Sequence, residues 1–322
     1  MAAAVKRVVL VTGASSGIGL AAAREAAGHG DHVVLLARGA GPLEAAAQQC
    51  RDLGAASARV VAVNILDSAA VESDLDEVRR ELGRIDVVIH SAGVVAYGRF
   101  EQVPAEVFDT VVRTNVLGSA NVSRAVLPDM RERNSGTLVL IGSVIGHIAP
   151  PYMSAYAISK WAVRALAREL KIENRDRSGV HVCIVSPGGV DTPIYLQAAN
   201  YLGQVGRPPP PVVSPEKVAR VALKLADRPR ARVQVGVSNG LIAAGFALFP
   251  GVFDAIVTPL FVNAATDRRR PVGPGTGNVL ASVPRDNRLR GEQGSPTATI
   301  VGNVLAMLRS SVGASVGDKK ER

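Results

Sequence analysis

A tyrosine and a lysine four residues apart, Tyr156 and Lys160, are the residues of this sequence best suited to moving a proton. Residues at i and i+4 share one face of a helix. A free tyrosine is a poor base at neutral pH, and a nearby ammonium group favours the phenolate. Lowering the tyrosine pKa by about 3 units needs about 4 kcal/mol of differential interaction. Ser143 ends an apolar run upstream, where its hydroxyl can bond a substrate oxygen. The three residues together predict an acid–base centre.

A glycine-rich turn near the start of the chain predicts a dinucleotide site. Gly13, Gly17 and Gly19 follow a strand-like run that begins at Val8, and helix-forming residues continue from them. Glycine lets the backbone turn sharply and approach a pyrophosphate closely, while the N–H groups at the helix start favour negative charge. The residues expected to contribute are Gly13, Ser15, Ser16, Gly17, Ile18 and Gly19.

Arg38, at the end of the second predicted strand, indicates which dinucleotide binds. An acidic residue at this position bonds the ribose hydroxyls of NAD, whereas a basic residue suits the 2′-phosphate of NADP. Asp31 precedes the strand and is misplaced for the NAD role. We therefore expect NADP(H), with NAD(H) less favoured and with a solvated surface arginine as the alternative interpretation of Arg38.

Apolar, β-branched runs alternate with helical patterns along the chain and predict the fold class. This alternation is typical of an α/β protein with a doubly wound, Rossmann-type parallel sheet covered by helices on both faces. The predicted strands are 8–12, 32–37, 60–63, 86–90, 137–141, 180–185 and 232–236, and the predicted helices are 17–28, 42–53, 69–82, 104–132, 155–176 and 215–226.

The composition divides the chain into three parts: a cofactor-binding and catalytic domain over 1–236, an apolar segment over 237–265 and a basic, Gly/Pro-rich tail over 266–322 that we expect to be largely disordered. A short apolar pattern within the tail, Ile300, Val301, Val304, Leu305 and Leu308, predicts an amphipathic helix.

Charge and cysteine content narrow the class of protein. Residues 266–322 hold 10 Lys and Arg against 5 Asp and Glu, so the tail carries +5 of the net charge of +9. The rest has no basic stripe and no nucleic-acid motif, so we expect no specific nucleic-acid binding.

Cys50 and Cys183 have neither metal-ligand nor redox spacing, so we expect no metal site. Reduced thiols and a strand that starts at Val8 favour a cytoplasmic protein without a signal peptide.

The apolar segment after the catalytic domain has three interpretations. Gly240 to Ala265 is long enough to span a bilayer, but Pro250, Asp254 and Pro259 interrupt it. It is a mobile lid or pocket wall, a peripheral membrane contact through 240–270, or a subunit interface. Each places the substrate near apolar groups. A flotation assay with anionic liposomes tests membrane contact.

Taken together, these motifs resemble the short-chain dehydrogenase/reductase family in its single-domain subtype, over about residues 5–236. The matching segments are Thr12-Gly13-x-x-x-Gly17-x-Gly19, Ser143…Tyr156-x-x-x-Lys160, Asn115 in Thr-Asn-Val-x-Gly, and Pro187-Gly188-Gly189-Val190-Asp191-Thr192-Pro193.

The resemblance implies a reaction and a role for each residue. Tyr156 is the general acid in reduction and the base in oxidation, and Ser143 polarises the carbonyl. Lys160 lowers the tyrosine pKa and holds the nicotinamide ribose, while Asn115 supports a water relay. Hydride passes between the nicotinamide and the substrate carbon. The segment with Pro187, Gly188, Val190 and Thr192 is expected to hold the nicotinamide.

Two departures from the family pattern concern the cofactor. The Asn-Ala-Gly after the fourth strand is replaced by Ser91, Ala92 and Gly93, and the Asp-Val after the third by Asn64 and Ile65. The Asn64 amide can still bond adenine. Ser91, in contrast, lacks one structural bond that the asparagine of the family pattern makes.

The sequence therefore predicts an NADP(H)-dependent enzyme that interconverts a carbonyl and an alcohol on a hydrophobic small molecule, as a homo-oligomer by family precedent. Two alternatives stay open. One is a non-catalytic dinucleotide sensor on the same fold, and the other is a membrane-associated interaction protein.

Overall fold

The computed structural model describes residues 6–292, 294 and 298–303. Its strands, in chain order, are β1 Val8–Thr12, β2 His32–Ala37, β3 Ser57–Ala62, β4 Val87–His90, β5 Ala96–Tyr97, β6 Gly136–Ile141, β7 Val180–Pro187, β8 Gly189–Val190, β9 Ala199–Asn200, β10 Gln204–Gly206, β11 Val212–Val213, β12 Arg232–Val235 and β13 Thr266–Pro271. Its helices are α1 Gly17–Gly28, α2 Ala40–Asp52, α3 Ser68–Leu82, α4 Ala105–Val112, α5 Gly118–Arg133, α6 Ser154–Glu173, α7 Pro215–Asp227, α8 Asn239–Leu248 and α9 Pro250–Ala264.

Within the described residues, seven strands form one sheet in the order β12-β7-β6-β4-β1-β2-β3. Every neighbouring pair in it is parallel. The order reverses direction between β1 and β4, and ligands of such sheets bind outside the carboxyl ends of the strands at that switch point. The predicted α/β class and Rossmann-type sheet are therefore confirmed.

Both faces of the sheet are buried, as strands without polar alternation require. On β1, Val9 and Val11 pack in a cluster with residues of α1, α2 and α7. The intervening Val8 and Leu10 pack in a second cluster with residues of α3, α5 and α6. This alternation fixes the register, so the carboxyl ends of the strands align along one edge of the sheet.

The predicted helix over 104–132 is interrupted. The chain forms α4, then a π-helical turn over Arg113–Leu117, then α5. Such turns are frequent at functional sites, and this one contains Asn115.

The first part of the predicted disordered tail is ordered instead. Thr266–Pro271 is β13, antiparallel to β10. Residues 276–292, which we call the strap, run back over the carboxyl edge of the sheet, where Gly291 N–H donates to Asp191 Oδ1 at 3.1 Å and Arg290 pairs with Glu216. Composition predicts disorder from few apolar residues, whereas the strap is held by these polar contacts and by the burial of Val279 in a hydrophobic cluster of the catalytic domain.

The end of the chain is described only in part. Residues 298–303 are helical, which includes Ile300 and Val301 of the predicted amphipathic pattern. Val304, Leu305 and Leu308 lie outside the described residues. Across the part of the chain that the structure describes, no helix has both the length and the apolar character needed to cross a membrane.

Candidate active site

Two positions in the turn between β1 and α1, Gly13 and Gly19, have no room for a side chain. Gly13 has a φ of +67°, and a Cβ there would lie 2.9 Å from the Ala92 backbone. A Cβ on Gly19 would lie 2.2 Å from the Gly13 carbonyl oxygen. The turn therefore packs directly against the loop after β4 and brings the N-terminus of α1 to the switch point. The N–H groups at a helix N-terminus suit an anion such as a pyrophosphate.

One cavity of about 640 Å³ runs along this edge of the sheet. It begins at the glycine turn, passes Ser143, Tyr156 and Lys160, and ends among apolar side chains of α8 and α9. A polar end and an apolar end in one cavity fit a dinucleotide beside a largely apolar second molecule.

The three predicted acid–base residues meet in this cavity. Ser143 follows β6, and its hydroxyl is hydrogen bonded to the phenol of Tyr156. On α6, the Lys160 Nζ lies 5.5 Å from the centre of the Tyr156 ring. It donates a hydrogen bond of 3.0 Å to the carbonyl oxygen of Ile141, the last residue of β6. The strand end and the helix are thereby fixed against each other.

Burial decides the protonation of these groups. It raises the pKa of Tyr156 to about 12, although the hydrogen bond with Ser143 opposes the rise. Burial also lowers the pKa of Lys160 to about 8. This direction is opposite to the predicted lowering of the tyrosine pKa by Lys160, because desolvation of the phenolate is the largest cause of the shift. Tyr156 therefore holds its proton at neutral pH.

Asn115 lies behind the cavity rather than in its wall. Its Nδ2 donates to the Val94 carbonyl oxygen at 3.0 Å and to Ser159 Oγ at 2.9 Å. Its Oδ1 accepts from the Val94 N–H at 2.9 Å, and Ser159 Oγ donates to the Tyr156 carbonyl oxygen at 2.7 Å. The π-helical turn thus holds both the loop after β4 and the helix of the predicted acid–base residues.

A chain of hydrogen bonds through His90 also supports the site. Ser119 Oγ donates to the Asn115 carbonyl oxygen at 2.5 Å, so it accepts from His90 Nε2 at 2.9 Å. His90 Nδ1 must then accept from the Thr12 hydroxyl, also at 2.9 Å. Burial, followed by the charge of Lys160, lowers the pKa of His90 to about 3, which agrees with this neutral form.

Arg38 reaches the cavity and is bonded to the strap. Its guanidinium donates to the carbonyl oxygens of Asn278 at 2.6 Å and Val279 at 3.3 Å, and burial lowers its pKa. The strap also meets the glycine turn, because the Gly17 N–H donates to the Arg288 carbonyl oxygen at 3.0 Å. Two groups predicted to bind anionic parts of the cofactor therefore have backbone carbonyls of the strap as partners.

The helices α8 and α9 form one wall of the apolar end. Phe253, Leu260 and Phe261 line the cavity, and Phe246 connects the pair to α6 through a ring contact with Trp161 at 6.1 Å. Leu248, Phe249 and Val252 of this segment do not line the cavity and are exposed. A pocket wall is thus one role of this segment, while membrane contact and subunit contact stay predictions.

The structure brings nearly all sequence-predicted site residues to one cavity. Gly19 packs inside the glycine turn instead, and Asn115 stands behind the wall. The residues that line the cavity are Gly13, Ser15, Ser16, Gly17, Ile18, Arg38, Asn64, Ile65, Ser91, Ala92, Gly93, Ser143, Tyr156, Lys160, Pro187, Gly188, Val190 and Thr192.

Sequence reasoning missed several residues of the site. His90 has a visible signal, since it is the one imidazole at the end of an apolar strand. Ser159 stands between Tyr156 and Lys160 but has no spacing that marks it. Tyr97 and Arg207 line the apolar end from loops and short strands, where no periodicity identifies them.

Comparison with known proteins defines the class. The chain matches the short chain dehydrogenase family over residues 7–200 and belongs to that family. It is 36% identical over 197 residues to the oxidoreductase UcpA of Salmonella typhimurium, covering 60% of this chain and 73% of that protein.

Two solved structures show the likeness in three dimensions. An alcohol dehydrogenase from Thermococcus sibiricus complexed with 5-hydroxy-NADP has a TM-score of 0.61 and 27% identity, over 72% of this chain and 96% of that one. A short chain dehydrogenase from Mycobacterium paratuberculosis bound to NAD has a TM-score of 0.64 and 24% identity, over 73% of this chain and 98% of that one. The protein is thus an oxidoreductase of the short chain dehydrogenase family.

The Thr12 hydroxyl gives a test of the hydrogen-bond chain. It accepts from the N–H groups of Ser91 and Ala92 at 3.2 and 3.1 Å, as well as donating to His90. Thr12→Val keeps the shape and leaves these groups unpaired, so we expect the free energy of unfolding in urea to fall by about 2 kcal/mol. Thr12→Ser keeps the hydroxyl and is expected to lose less than about 1 kcal/mol. Equal stability of the two variants would contradict the assigned chain.

Proposed function

We propose that the protein is an NADP(H)-dependent oxidoreductase that interconverts a ketone or aldehyde and an alcohol on a largely apolar substrate. This proposal rests on the arrangement of three side chains. Ser143, Tyr156 and Lys160 meet in the cavity that begins at the glycine turn. The same convergence argues against a non-catalytic dinucleotide sensor, which has no use for a buried acid–base group.

Each side chain has a defined task in this reaction. A bound nicotinamide dinucleotide supplies the hydride in reduction and accepts it in oxidation. Tyr156 Oη gives its proton to the carbonyl oxygen as the alcohol forms, and takes it back in the reverse direction. Ser143 donates a hydrogen bond that polarises the carbonyl, and the Lys160 ammonium stabilises the phenolate that remains. Asn115 positions α6 through Ser159.

The cofactor residues follow from the cavity wall. The glycine turn and the N-terminus of α1 suit the pyrophosphate. Asn64 and Ile65 suit the adenine, Val190 and Thr192 suit the nicotinamide, and Arg38 suits a 2′-phosphate. Preference for NADP over NAD rests on Arg38, which is the basic residue at the end of β2.

The apolar end of the cavity supports a hydrophobic substrate. Ile145, Ile148, Met153 and Phe261 line it together with residues of α8 and α9. Burying apolar substrate surface there contributes roughly 25 cal/mol per Å². A homo-oligomer and a peripheral membrane contact stay predictions beside this proposal.

Replacement of the acid tests catalysis directly. Tyr156→Phe removes the proton but keeps the ring, so we expect kcat to fall by about 10³-fold while NADPH binding stays close to that of the unchanged protein. An NADPH-oxidation assay across steroid, acyl, sugar and small aldehyde carbonyls, with NADPH binding followed by fluorescence, measures both. Tyr201→Phe, outside the main cavity, is the matched control. Turnover retained by Tyr156→Phe would remove Tyr156 from its role.

The pKa values of Lys160 and Tyr156 set the pH dependence. Reduction needs the proton on Tyr156 and the charge on Lys160, and both are present below pH about 8. We expect kcat/KM for reduction to be constant below that pH and to fall about tenfold per pH unit above it, as Lys160 loses its proton. Oxidation, which needs the phenolate, should rise with pH. Lys160→Met should lose the break near pH 8; the same break in that variant would assign it to another group.

Cofactor preference tests the role of Arg38. Arg38→Ala removes a guanidinium that can bond a 2′-phosphate, so we expect kcat/KM for NADPH to fall by about 10- to 100-fold. The value for NADH should not fall, because NADH has no 2′-phosphate. Arg51→Ala, an exposed arginine on α2, is the control. A preference of the unchanged protein for NADH would refute this role.

A further inference from the structure

The apolar end of the cavity contains a buried arginine that the proposed reaction does not use. Arg207 directly follows β10 and lines the cavity, yet it is only 2% exposed. Its backbone N–H donates to the Ala265 carbonyl oxygen at 2.9 Å, which fixes its place beside the end of α9. A cationic side chain is thus held inside a wall that is otherwise mostly apolar.

The guanidinium of Arg207 lacks the partners that such a group normally has. Among the described residues, none forms a hydrogen bond with its Nε, Nη1 or Nη2, although all three are buried. The carboxylate of Asp267 acts on Arg207 through its charge, but that carboxylate is hydrogen bonded by Arg269 at 3.1 Å. The five N–H donors of Arg207 therefore stay available.

A buried, unpaired guanidinium is unfavourable for stability. Removing a charge from water costs several kcal/mol unless hydrogen bonds and an opposite charge replace the solvent. Burial lowers the pKa of Arg207, but an arginine still stays protonated. The group that relieves this cost is an anion that accepts two parallel hydrogen bonds.

Arg207 lines the same cavity as the predicted acid–base centre. Its neighbour Gly206 packs on the ring of Tyr97, since a Cβ there would lie 2.6 Å from a ring atom. Tyr97 lines the cavity together with Tyr156. Tyr156 and Arg207 line one cavity of about 640 Å³, so a single molecule of sufficient length can contact both.

We propose that Arg207 binds a carboxylate of the substrate, so that the enzyme acts on an apolar oxo acid or hydroxy acid. The reacting carbonyl or alcohol lies at Tyr156 and Ser143, and the carboxylate lies at the other end of the molecule. A carboxylate has one negative charge and neutralises one guanidinium, whereas a phosphate monoester carries nearly two and leaves charge uncompensated. This substrate class rests on the proposed oxidoreductase function.

A comparison of matched substrates tests Arg207. The probes are ω-oxodecanoate and its methyl ester, which present the same aldehyde with and without the charge. In the unchanged protein the acid should have a KM about 10- to 100-fold below that of the ester. Arg207→Met should raise the KM for the acid to that of the ester with kcat nearly unchanged, because the contact is made in ground state and transition state alike. Arg207→Lys should restore part of the difference.

Two controls separate charge recognition from folding. Arg230→Met removes an exposed arginine and should leave the acid-to-ester ratio as in the unchanged protein. Arg207→Met removes a buried unpaired charge, so the midpoint of thermal unfolding should rise. A lower midpoint together with an unchanged acid-to-ester ratio would show a structural arginine and overturn the proposal.

Ligand binding measured without turnover separates a failure of the carboxylate site from a failure of the proposed reaction. Decanoate should raise the thermal midpoint of the unchanged protein and not that of Arg207→Met, and decanol should not discriminate between them. That result with no turnover of either aldehyde supports the carboxylate site and counts against the assigned reaction. Turnover of both aldehydes with equal KM, and no effect of decanoate, overturns the carboxylate site and leaves the reaction standing. A larger shift with decyl phosphate than with decanoate also overturns it.

Discussion

The hydrogen bond between Thr12 and His90 joins the two strands between which the order of the sheet reverses. Thr12 ends β1 and His90 ends β4, and both side chains are buried at 2.9 Å from each other. The same threonine oxygen accepts the N–H groups of Ser91 and Ala92, which keeps the loop after β4 against Gly13. These hydrogen bonds hold the two strand ends together and so help to define the crevice at the switch point.

A chain of hydrogen bonds links His90 to the helix that holds the predicted catalytic residues. His90 leads through Ser119 to Asn115 in the π-helical turn, and Asn115 holds Ser159 on α6. The helix therefore has a fixed position relative to β4, while the bond from Lys160 to Ile141 fixes it relative to β6. Low local dielectric strengthens such a fully satisfied network and rigidifies it. The sheet thus fixes the positions of the predicted acid–base residues on α6.

Sequence reasoning reached the sheet, the glycine turn and the acid–base residues because each has a signal in spacing or composition. Strands buried on both faces appear as apolar runs, and Tyr156 with Lys160 marks a helix face. The π-helical turn around Asn115 has no such signal, since its residues suit an ordinary helix. The sequence can show that Arg207 is charged but not that its burial leaves it without a partner, because burial depends on contacts between distant segments.

The order of residues 276–292 was missed for a different physical reason. Low hydrophobicity predicts disorder when burial of apolar surface must supply the stabilisation. Here backbone carbonyls of Asn278 and Arg288 satisfy donors of Arg38 and Gly17 that the fold already presents. Composition does not record backbone hydrogen bonds, so the part that they play in holding the strap is not visible in it.

For a cofactor that binds Arg38 and Gly17 as proposed, these strap contacts make binding an exchange. A dinucleotide that uses the Arg38 guanidinium and the Gly17 N–H must take them from carbonyl oxygens of the protein's own chain. Its apparent dissociation constant then equals the intrinsic constant divided by the fraction of molecules in which the strap has released these donors. The affinity for a dinucleotide bound in this way therefore depends partly on the stability of the strap contacts, and substitutions in the strap can change that affinity.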